Sequence, residues 1–261
     1  MELHDDLLQH LERERPDLLP GSQFAGIDRN GLEGKYDHGT TIVAVKYADG
    51  AIIGGDTRST MGLFISDEYK RKVHVLDRFT VAGFAGVSEM CDEYAGLLGR
   101  IFENYRKIHH RALDFAGKVN LTSALLKKNP LLLHGMMTVP ILAGLDPEAG
   151  SSHIVTYDGI GGVTEKMSYA ALGSGGHFAA LSLRKTWRVR GGQNMERETA
   201  EKTVVEALWD SAVPQAGSSP PDIRRNILPY LISVDQEGTR QVERDAIARY
   251  VRQLELEFGD E

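Results

Sequence analysis

The stretch DHGTTIVAVKYADGAIIGGD, residues 37–56, joins two apolar runs rich in β-branched residues through the turn ADG. Such a pattern predicts a β-hairpin, in which the two runs pair as neighbouring strands. A glycine and two threonines stand directly before the first run. Thirty-nine residues precede Thr40, so the sequence poses the question of what this leader does.

The leader differs from the rest of the chain in charge and in pattern. Residues 1–39 carry nine acidic and four basic side chains, a net charge of −5 out of −7 for the whole chain. Leu3, Leu7, Leu8 and Leu11 follow helical spacing before Pro16, which predicts a short amphipathic helix. Residues 21–39 are rich in glycine and polar residues without periodicity, which is typical of a flexible linker.

Composition excludes several classes of protein. A chain of 261 residues that is 41% hydrophobic can bury one sizeable core or two small ones. After residue 39 the charges nearly balance, so no basic face for nucleic acid is expected. No apolar run reaches 18 residues and the first 25 residues are acidic, which predicts no membrane span, no secretory signal and a cytoplasmic address. The single cysteine, Cys91, excludes an internal disulfide and a multi-cysteine metal site, and no metal or organic cofactor is implied.

The remaining segments alternate between groups of strands and groups of helices. Strands are predicted at 72–77, 79–86, 137–146, 152–158, 161–175 and 227–235, and helices at 87–108, 120–135, 175–187, 196–212 and 242–257. Runs of strands separated by pairs of helices are typical of antiparallel sheets covered by helices. The expected fold class is therefore an α+β sandwich.

The junction between Gly39 and Thr40 suggests a chemistry. A threonine hydroxyl needs a base to become a nucleophile, and the chain has no G-x-S-x-G elbow. If the bond before Thr40 is cut, a free α-amine with a pKa of about 7.7–8.0 can be that base. Gly39 has no Cβ, so its carbonyl can be approached closely. The leader would then be a propeptide that blocks the amine, although a Gly-Thr-Thr sequence before a strand is common by itself.

Three further residues support this hypothesis in combination. Asp56 follows a glycine pair at the end of the second run, across the predicted hairpin from Thr40. Lys72 begins the next predicted strand, where an ammonium paired with Asp56 could lower the pKa of the threonine hydroxyl. Gly86 ends the following strand just before a helix, where its N–H is suited to stabilise an oxyanion.

The chain resembles the β-subunits of bacterial, actinobacterial-type 20S proteasomes. The resemblance rests on HGTTIVAVKYADGAIIGGDTRST (38–60), RKVHVLDRFTVAGFAG (71–86), ALGSGGHFA (171–179) and VVEALWDSAVPQAGSSPPDIRRNILP (204–229). These segments span nearly all of the chain after residue 39. The resemblance implies a four-layer αββα sandwich of the N-terminal nucleophile hydrolase class, with residues 1–39 as a propeptide and 40–261 as the peptidase domain.

The resemblance also implies roles for individual residues. Thr40 becomes the nucleophile after autocatalytic cleavage, Asp56 and Lys72 form the charge relay, and the Gly86 N–H forms the oxyanion hole. Arg58 braces the site, Ser174 binds the nucleophile's amine, and Ser218 matches a family Ser or Thr. The family usually has an Asp three residues before this Ser or Thr, whereas this chain has Gln215 there. Asp210 could take the place of the family Asp if the loop is shorter. The P1 pocket is expected to contain Ser59, Lys70, His74, Phe84 and Ser88.

Phe84 is bulky for a pocket floor and would shorten the pocket, or it is an ordinary core aromatic.

By the same resemblance the expected partners are protein substrates, other β-subunits in two stacked homo-heptameric rings, flanking heptameric rings of α-subunits and a ring-shaped ATPase activator. The Leu stripe of the leader could also contact α- or β-subunits during assembly.

Two alternatives remain at this point. A peptidase subunit of the HslV type also opens with Thr-Thr-Ile, but that family is shorter and generally lacks a long leader. A catalytically silent ring subunit would keep the sandwich and lose Thr40, Lys72 or the cleavable glycine, all of which are present, while Gln215 keeps this alternative open. Cys91 is set aside as a nucleophile because it falls on the apolar face of the helix predicted at 87–108.

Overall fold

The computed structural model describes residues 10–19, 22, 39–61, 64–128, 138–212 and 218–258, and twelve strands and five α-helices lie within these ranges. The strands are Thr41–Tyr47 (β1), Gly50–Gly55 (β2), Ser59–Met61 (β3), Phe64–Asp67 (β4), Val73–Asp77 (β5), Thr80–Gly86 (β6), Thr138–Asp146 (β7), Ser151–Tyr157 (β8), Val163–Lys166 (β9), Tyr169–Gly173 (β10), Tyr230–Asp235 (β11) and Gly238–Gln241 (β12). The helices are Ser88–His109 (α1), Phe115–Lys127 (α2), Gly176–Val189 (α3), Arg197–Ala212 (α4) and Arg244–Phe258 (α5).

The strands form two five-stranded antiparallel sheets and one small hairpin. The first sheet has the order β10-β1-β2-β11-β12, and the second has the order β5-β6-β7-β8-β9. The strands β3 and β4 pair only with each other among the described residues. The predicted hairpin at the start of the domain is confirmed as β1 and β2, with Ile42 opposite Gly55.

The strand β1 explains why the two sheets stack. All seven of its residues are buried, and successive side chains of a strand point to opposite faces. Ile42 and Ala44 therefore point into a core shared with Val81 and Ile141 of the second sheet. The alternate residues of β1 face the other way, towards the helices.

Two further cores cover the outer faces of the sheets. On the first sheet, Val43 packs with residues of α3, α4 and α5, including Leu183 and Val204. On the second sheet, Phe84 and Leu142 pack with residues of α1 and α2. Helices thus lie outside both sheets, which confirms the α+β sandwich and gives the layer order helix, sheet, sheet, helix.

The structure corrects the sequence prediction in four places. The strand predicted over 161–175 divides at Met167 into β9 and β10, which belong to different sheets. The hairpin of β3 and β4 and the short strand β12 were not predicted. The helix predicted at 120–135 begins earlier, at Phe115, because Asp114 caps it by accepting a hydrogen bond from Gly117 N over 2.7 Å. Residues 129–137, including Pro130, lie outside the described residues.

Part of the leader can be described. Residues 10–13 are helical, whereas Leu3, Leu7 and Leu8 of the predicted stripe, and residues 23–38 of the predicted linker, lie outside the described residues. Leu11 packs against the core of α1 and α2, and Glu12 forms an ion pair of 2.6 Å with Lys128 after α2. This part of the leader therefore contacts the domain that follows it.

Candidate functional site

Thr40 lies directly before β1 and is almost fully buried, with 5% of its surface exposed. The pairing of β1 with β10 sets Thr41 opposite Gly173, so the turn after β10 passes over Thr40. The Thr40 N–H donates a hydrogen bond of 3.1 Å to Ser174 Oγ. The two paired strands thus bring Ser174, 134 residues away in sequence, to the backbone nitrogen of Thr40.

Glycine is needed at two positions of this turn. Gly173 has a φ of +92°, and a Cβ at this residue would lie 2.1 Å from the carbonyl oxygen of Thr40. A Cβ at Gly175 would lie 2.1 Å from Thr41 Oγ1. Any side chain at either position would displace the start of β1, and with it Thr40.

Asp56 follows β2 and lies beside the start of β1 because of the hairpin register. Its N–H donates to Thr41 O over 3.1 Å, and its Oδ1 accepts from Thr41 N over 2.7 Å. The Oδ2 atom accepts from Arg58 N over 3.1 Å and from Ser219 N over 3.3 Å. With 2% of its surface exposed, the carboxylate is held by backbone donors from three segments of the chain.

Lys72 reaches the same point from the residue before β5. Its Nζ lies 2.9 Å from Asp56 Oδ1 and 3.1 Å from Gly39 O, and it also donates to Arg58 O. Burial lowers the pKa of Lys72, and the nearby Asp56 carboxylate acts in the opposite direction. An ammonium group has three donors, and each of them has an acceptor in this structure.

The carbonyl of Gly39 is the point where these groups converge. Its oxygen accepts from Lys72 Nζ and from Thr40 Oγ1, the latter over 2.8 Å. A cationic donor on a carbonyl oxygen makes the carbon more electrophilic. The threonine hydroxyl therefore lies beside the polarised carbonyl of the preceding residue, an arrangement suited to intramolecular attack.

Ser218 contacts the residue after Thr40 rather than Thr40 itself. Its Oγ lies 2.5 Å from Thr41 Oγ1, and its carbonyl accepts from Arg58 Nη1 over 3.2 Å. The described contacts of Ser218 and Arg58 thus support the backbone around the site. Gln215 lies outside the described residues, and Asp210 is exposed on α4.

Sequence reasoning missed other residues that the fold brings to the site. Thr60 Oγ1 accepts a hydrogen bond of 2.7 Å from Gly39 N, and Ser219 N donates to Asp56 as described above. Thr60 stands within the motif GDTRST, but motif spacing alone does not indicate which of its side chains turns towards Gly39.

A small cleft opens beside Thr40. It is lined by Thr40, Ser59, Lys70, Arg71, Lys72, Phe84, Gly86, Ser88, Cys91 and Asp92. Four of the five residues expected in a P1 pocket are in this lining, and Gly86 is on the same wall. His74, the fifth, packs edge-on against the Phe84 ring at a centroid distance of 6.0 Å.

An ion pair that the sequence did not predict forms part of the cleft wall. Lys70 Nζ lies 2.5 Å from Asp92 Oδ2, and His74 Nε2 lies 3.7 Å from Asp92 Oδ1. Burial lowers the pKa of His74, with Asp92 opposing this effect and the nearby Arg71 and Lys70 adding to it. His74 is therefore neutral at neutral pH, and the ion pair is the charged feature beside it.

Cys91 lines the cleft but is not a nucleophile. It is buried in the core of α1 and α2, and burial raises the pKa of its thiol to about 12. Since the thiolate is the reactive form, this cysteine remains an inert thiol at neutral pH.

The part of the chain that the structure describes contains neither a candidate membrane span nor a candidate metal site. None of its helices combines the length and the apolar character needed to cross a membrane. Its histidine, cysteine and acidic side chains do not form a cluster of three or more that could hold a metal ion.

Comparisons with known proteins agree on one family. The sequence model described as "Proteasome subunit" matches residues 36–220. The "Proteasome subunit beta" of Mycobacterium avium (strain 104) is 35% identical over 254 residues, which cover 94% of this chain and 82% of that protein. The "Proteasome subunit beta" of Mycobacterium tuberculosis (strain ATCC 25177 / H37Ra) is 35% identical over 250 residues, covering 94% of this chain and 84% of that protein.

Proposed function

The chain belongs to the proteasome subunit family and is a proteolytic β-subunit of the bacterial 20S type, and from this premise we propose that it is a threonine peptidase with Thr40 as nucleophile. The observation that carries the proposal is the position of Thr40 Oγ1, 2.8 Å from the oxygen of the Gly39 carbonyl that Lys72 polarises. The relatives reported above are proteasome β-subunits, which favours this assignment over a subunit of the HslV type.

We propose that the chain activates itself. Thr40 Oγ1 attacks the Gly39 carbonyl carbon and forms an ester as the Gly39–Thr40 amide bond breaks, and the hydroxyl proton passes to the departing nitrogen. Water then hydrolyses the ester, which releases residues 1–39 with a free carboxylate and restores the hydroxyl. The new α-amine of Thr40 has a reference pKa of about 7.7–8.0, so it is a suitable base at neutral pH.

Peptide hydrolysis uses the same groups. The amine of Thr40 accepts the hydroxyl proton through a water molecule, and Oγ1 attacks the scissile carbonyl carbon to form an acyl ester as the peptide C–N bond breaks. The proton passes to the leaving amine, and water then hydrolyses the ester, which releases the second product with a free carboxylate and restores the hydroxyl. Lys72, paired with Asp56, stabilises the developing negative charge together with the Gly86 N–H. Ser174 remains next to the amine, while Arg58 and Ser218 hold the backbone around Thr41.

The assembly proposed for this subunit follows the family. As a proteasome subunit it works in a complex with other subunits, and we propose stacked heptameric β-rings between α-rings, fed by a ring-shaped ATPase, in the cytoplasm. Enclosure would keep a nucleophile of broad specificity away from folded proteins. The contacts of Leu11 and Glu12 with the domain are compatible with a role for the leader during assembly.

The direct test of self-activation is the N-terminal sequence of the assembled, active particle. We expect the β-chain to begin TTIVAVKY, with Thr40 first, and its mass to be lower by the mass of residues 1–39. A particle that hydrolyses peptides at full rate while its chain still begins before Thr40 contradicts the proposal.

A second test concerns Phe84, which lines the cleft and is 1% exposed. Replacing it with valine should deepen the P1 pocket and raise kcat/KM for bulky P1 residues relative to alanine by about 10-fold. A panel of fluorogenic peptides that differ only at P1 measures this ratio. Phe102→Val is the matched control, because Phe102 is a buried aromatic of the same core that does not line the cleft. If both variants leave the ratio unchanged, Phe84 is an ordinary core residue.

A further inference from the structure

The hydrogen bond between Thr60 and Gly39 joins the leader to a residue of the short strand β3. Gly39 N donates to Thr60 Oγ1 over 2.7 Å, and this contact is buried. Thr60 itself is 7% exposed. The N–H that Thr60 holds belongs to Gly39, and the carbonyl of Gly39 is the one attacked in the proposed self-cleavage.

The backbone of β3 is irregular at the place that turns Thr60 inward. Ser59 and Thr60 are consecutive and both are 7% exposed, with Ser59 in the lining of the cleft and Thr60 at Gly39 N. The register between β3 and β4 shifts between these two residues, and such irregularities re-aim side chains. Ser59 can thus line the cleft while Thr60 faces Gly39.

We propose that Thr60 is a positioning residue for self-cleavage, an inference that rests on the proposed function. The Gly39 residue is held at its N–H by Thr60 and at its oxygen by Lys72. Glycine has the greatest backbone freedom of any residue, so an unheld Gly39 would present its carbonyl to Thr40 Oγ1 in many orientations. Fixing both ends of the residue favours the reactive orientation.

The role matters most in the uncleaved chain. The P1 residue of an added peptide takes the place of Gly39 but is also held by its side chain in the P1 pocket, whereas Gly39 has no side chain and depends on its backbone contacts. Removal of the Thr60 hydroxyl should therefore slow self-cleavage more than it slows hydrolysis of added peptides. A merely structural role would change both rates together.

The experiment compares Thr60→Val, which keeps the shape but removes the acceptor, with Thr60→Ser, which keeps the hydroxyl. In assembled particles of the full chain, intact mass gives the self-cleavage rate, and peptide hydrolysis is normalised to Thr40 labelled by an epoxyketone. We expect the ratio of self-cleavage to peptidase rate to fall about 10-fold in Thr60→Val, the scale of one neutral hydrogen bond, and to recover in Thr60→Ser. Thr60→Ala is a second variant without an acceptor, in case valine prevents folding.

Three results are distinguishable. If the variants without an acceptor keep the unmodified ratio while Thr40 is exposed normally, the role of Thr60 is wrong and the proposed function stands. If both rates fall equally, Thr60 is structural and the inference is again overturned. If the unmodified chain never exposes Thr40, the proposed self-activation fails and the inference fails with it.

Discussion

Replacing Thr40 with alanine should leave residues 1–39 attached and abolish peptidase activity. The variant has neither the hydroxyl that lies 2.8 Å from the Gly39 oxygen nor a means of forming an acyl ester. We expect peptide hydrolysis to fall by on the order of 10⁶-fold, the scale seen when a hydrolase loses its nucleophile. Intact mass spectrometry of the assembled subunit and a fluorogenic peptide assay measure the two effects.

Two matched variants make this result specific. Thr40→Ser keeps a hydroxyl and should still release the leader and hydrolyse peptides. Thr164→Ala removes a threonine from the exposed part of β9 and should behave as the unmodified chain does. Release of residues 1–39 from Thr40→Ala would show that another group breaks the bond, and retained peptidase activity would exclude Thr40 as nucleophile.

The layers of the fold could be predicted from the sequence because their signals are local and strong. The hairpin of β1 and β2 combines two β-branched runs with a turn, and the helix α1 has apolar residues at regular helical steps. The missed strands β3, β4 and β12 have only three or four residues each, too few for a recognisable period. The division at Met167 was missed because two strands of different sheets follow each other with only a short break.

The positions of the candidate site residues could be predicted where these residues lie beside strongly patterned strands. Asp56 lies where the hairpin register places it, and Lys72 lies at the start of a predicted strand. The positions of Thr60 and Asp92 depend instead on an irregular ladder and on packing between distant segments. Neither feature leaves a periodic trace in the sequence, so only the folded chain reveals these neighbours.

The second large effect is expected for Lys72→Met, which keeps an apolar chain of similar length and removes the charge. The variant lacks the hydrogen bonds that Lys72 Nζ donates to Asp56, Gly39 and Arg58. Self-cleavage and peptide hydrolysis should both fall by about 10²–10⁴-fold, the range for the loss of a group that transfers protons or stabilises charge. The free energy of unfolding should also fall, by up to about 3–5 kcal/mol, because the buried Asp56 carboxylate loses its cation.

Loss of stability and loss of chemistry can be separated by a second change. In Lys72→Met with Asp56→Asn, the unpaired charge is gone, so thermal unfolding should recover in part while activity stays low. Recovery is incomplete because the NH2 group of Asn replaces a carboxylate oxygen that accepts from backbone N–H groups. Lys118→Met is the matched control, because Lys118 lies on α2 and is also buried and paired with a carboxylate, Asp77, at 2.7 Å. This control should lose stability and still expose Thr40. If the folded double variant instead cleaves itself at the unmodified rate, the Gly39 carbonyl does not need Lys72, and the proposed polarisation is wrong.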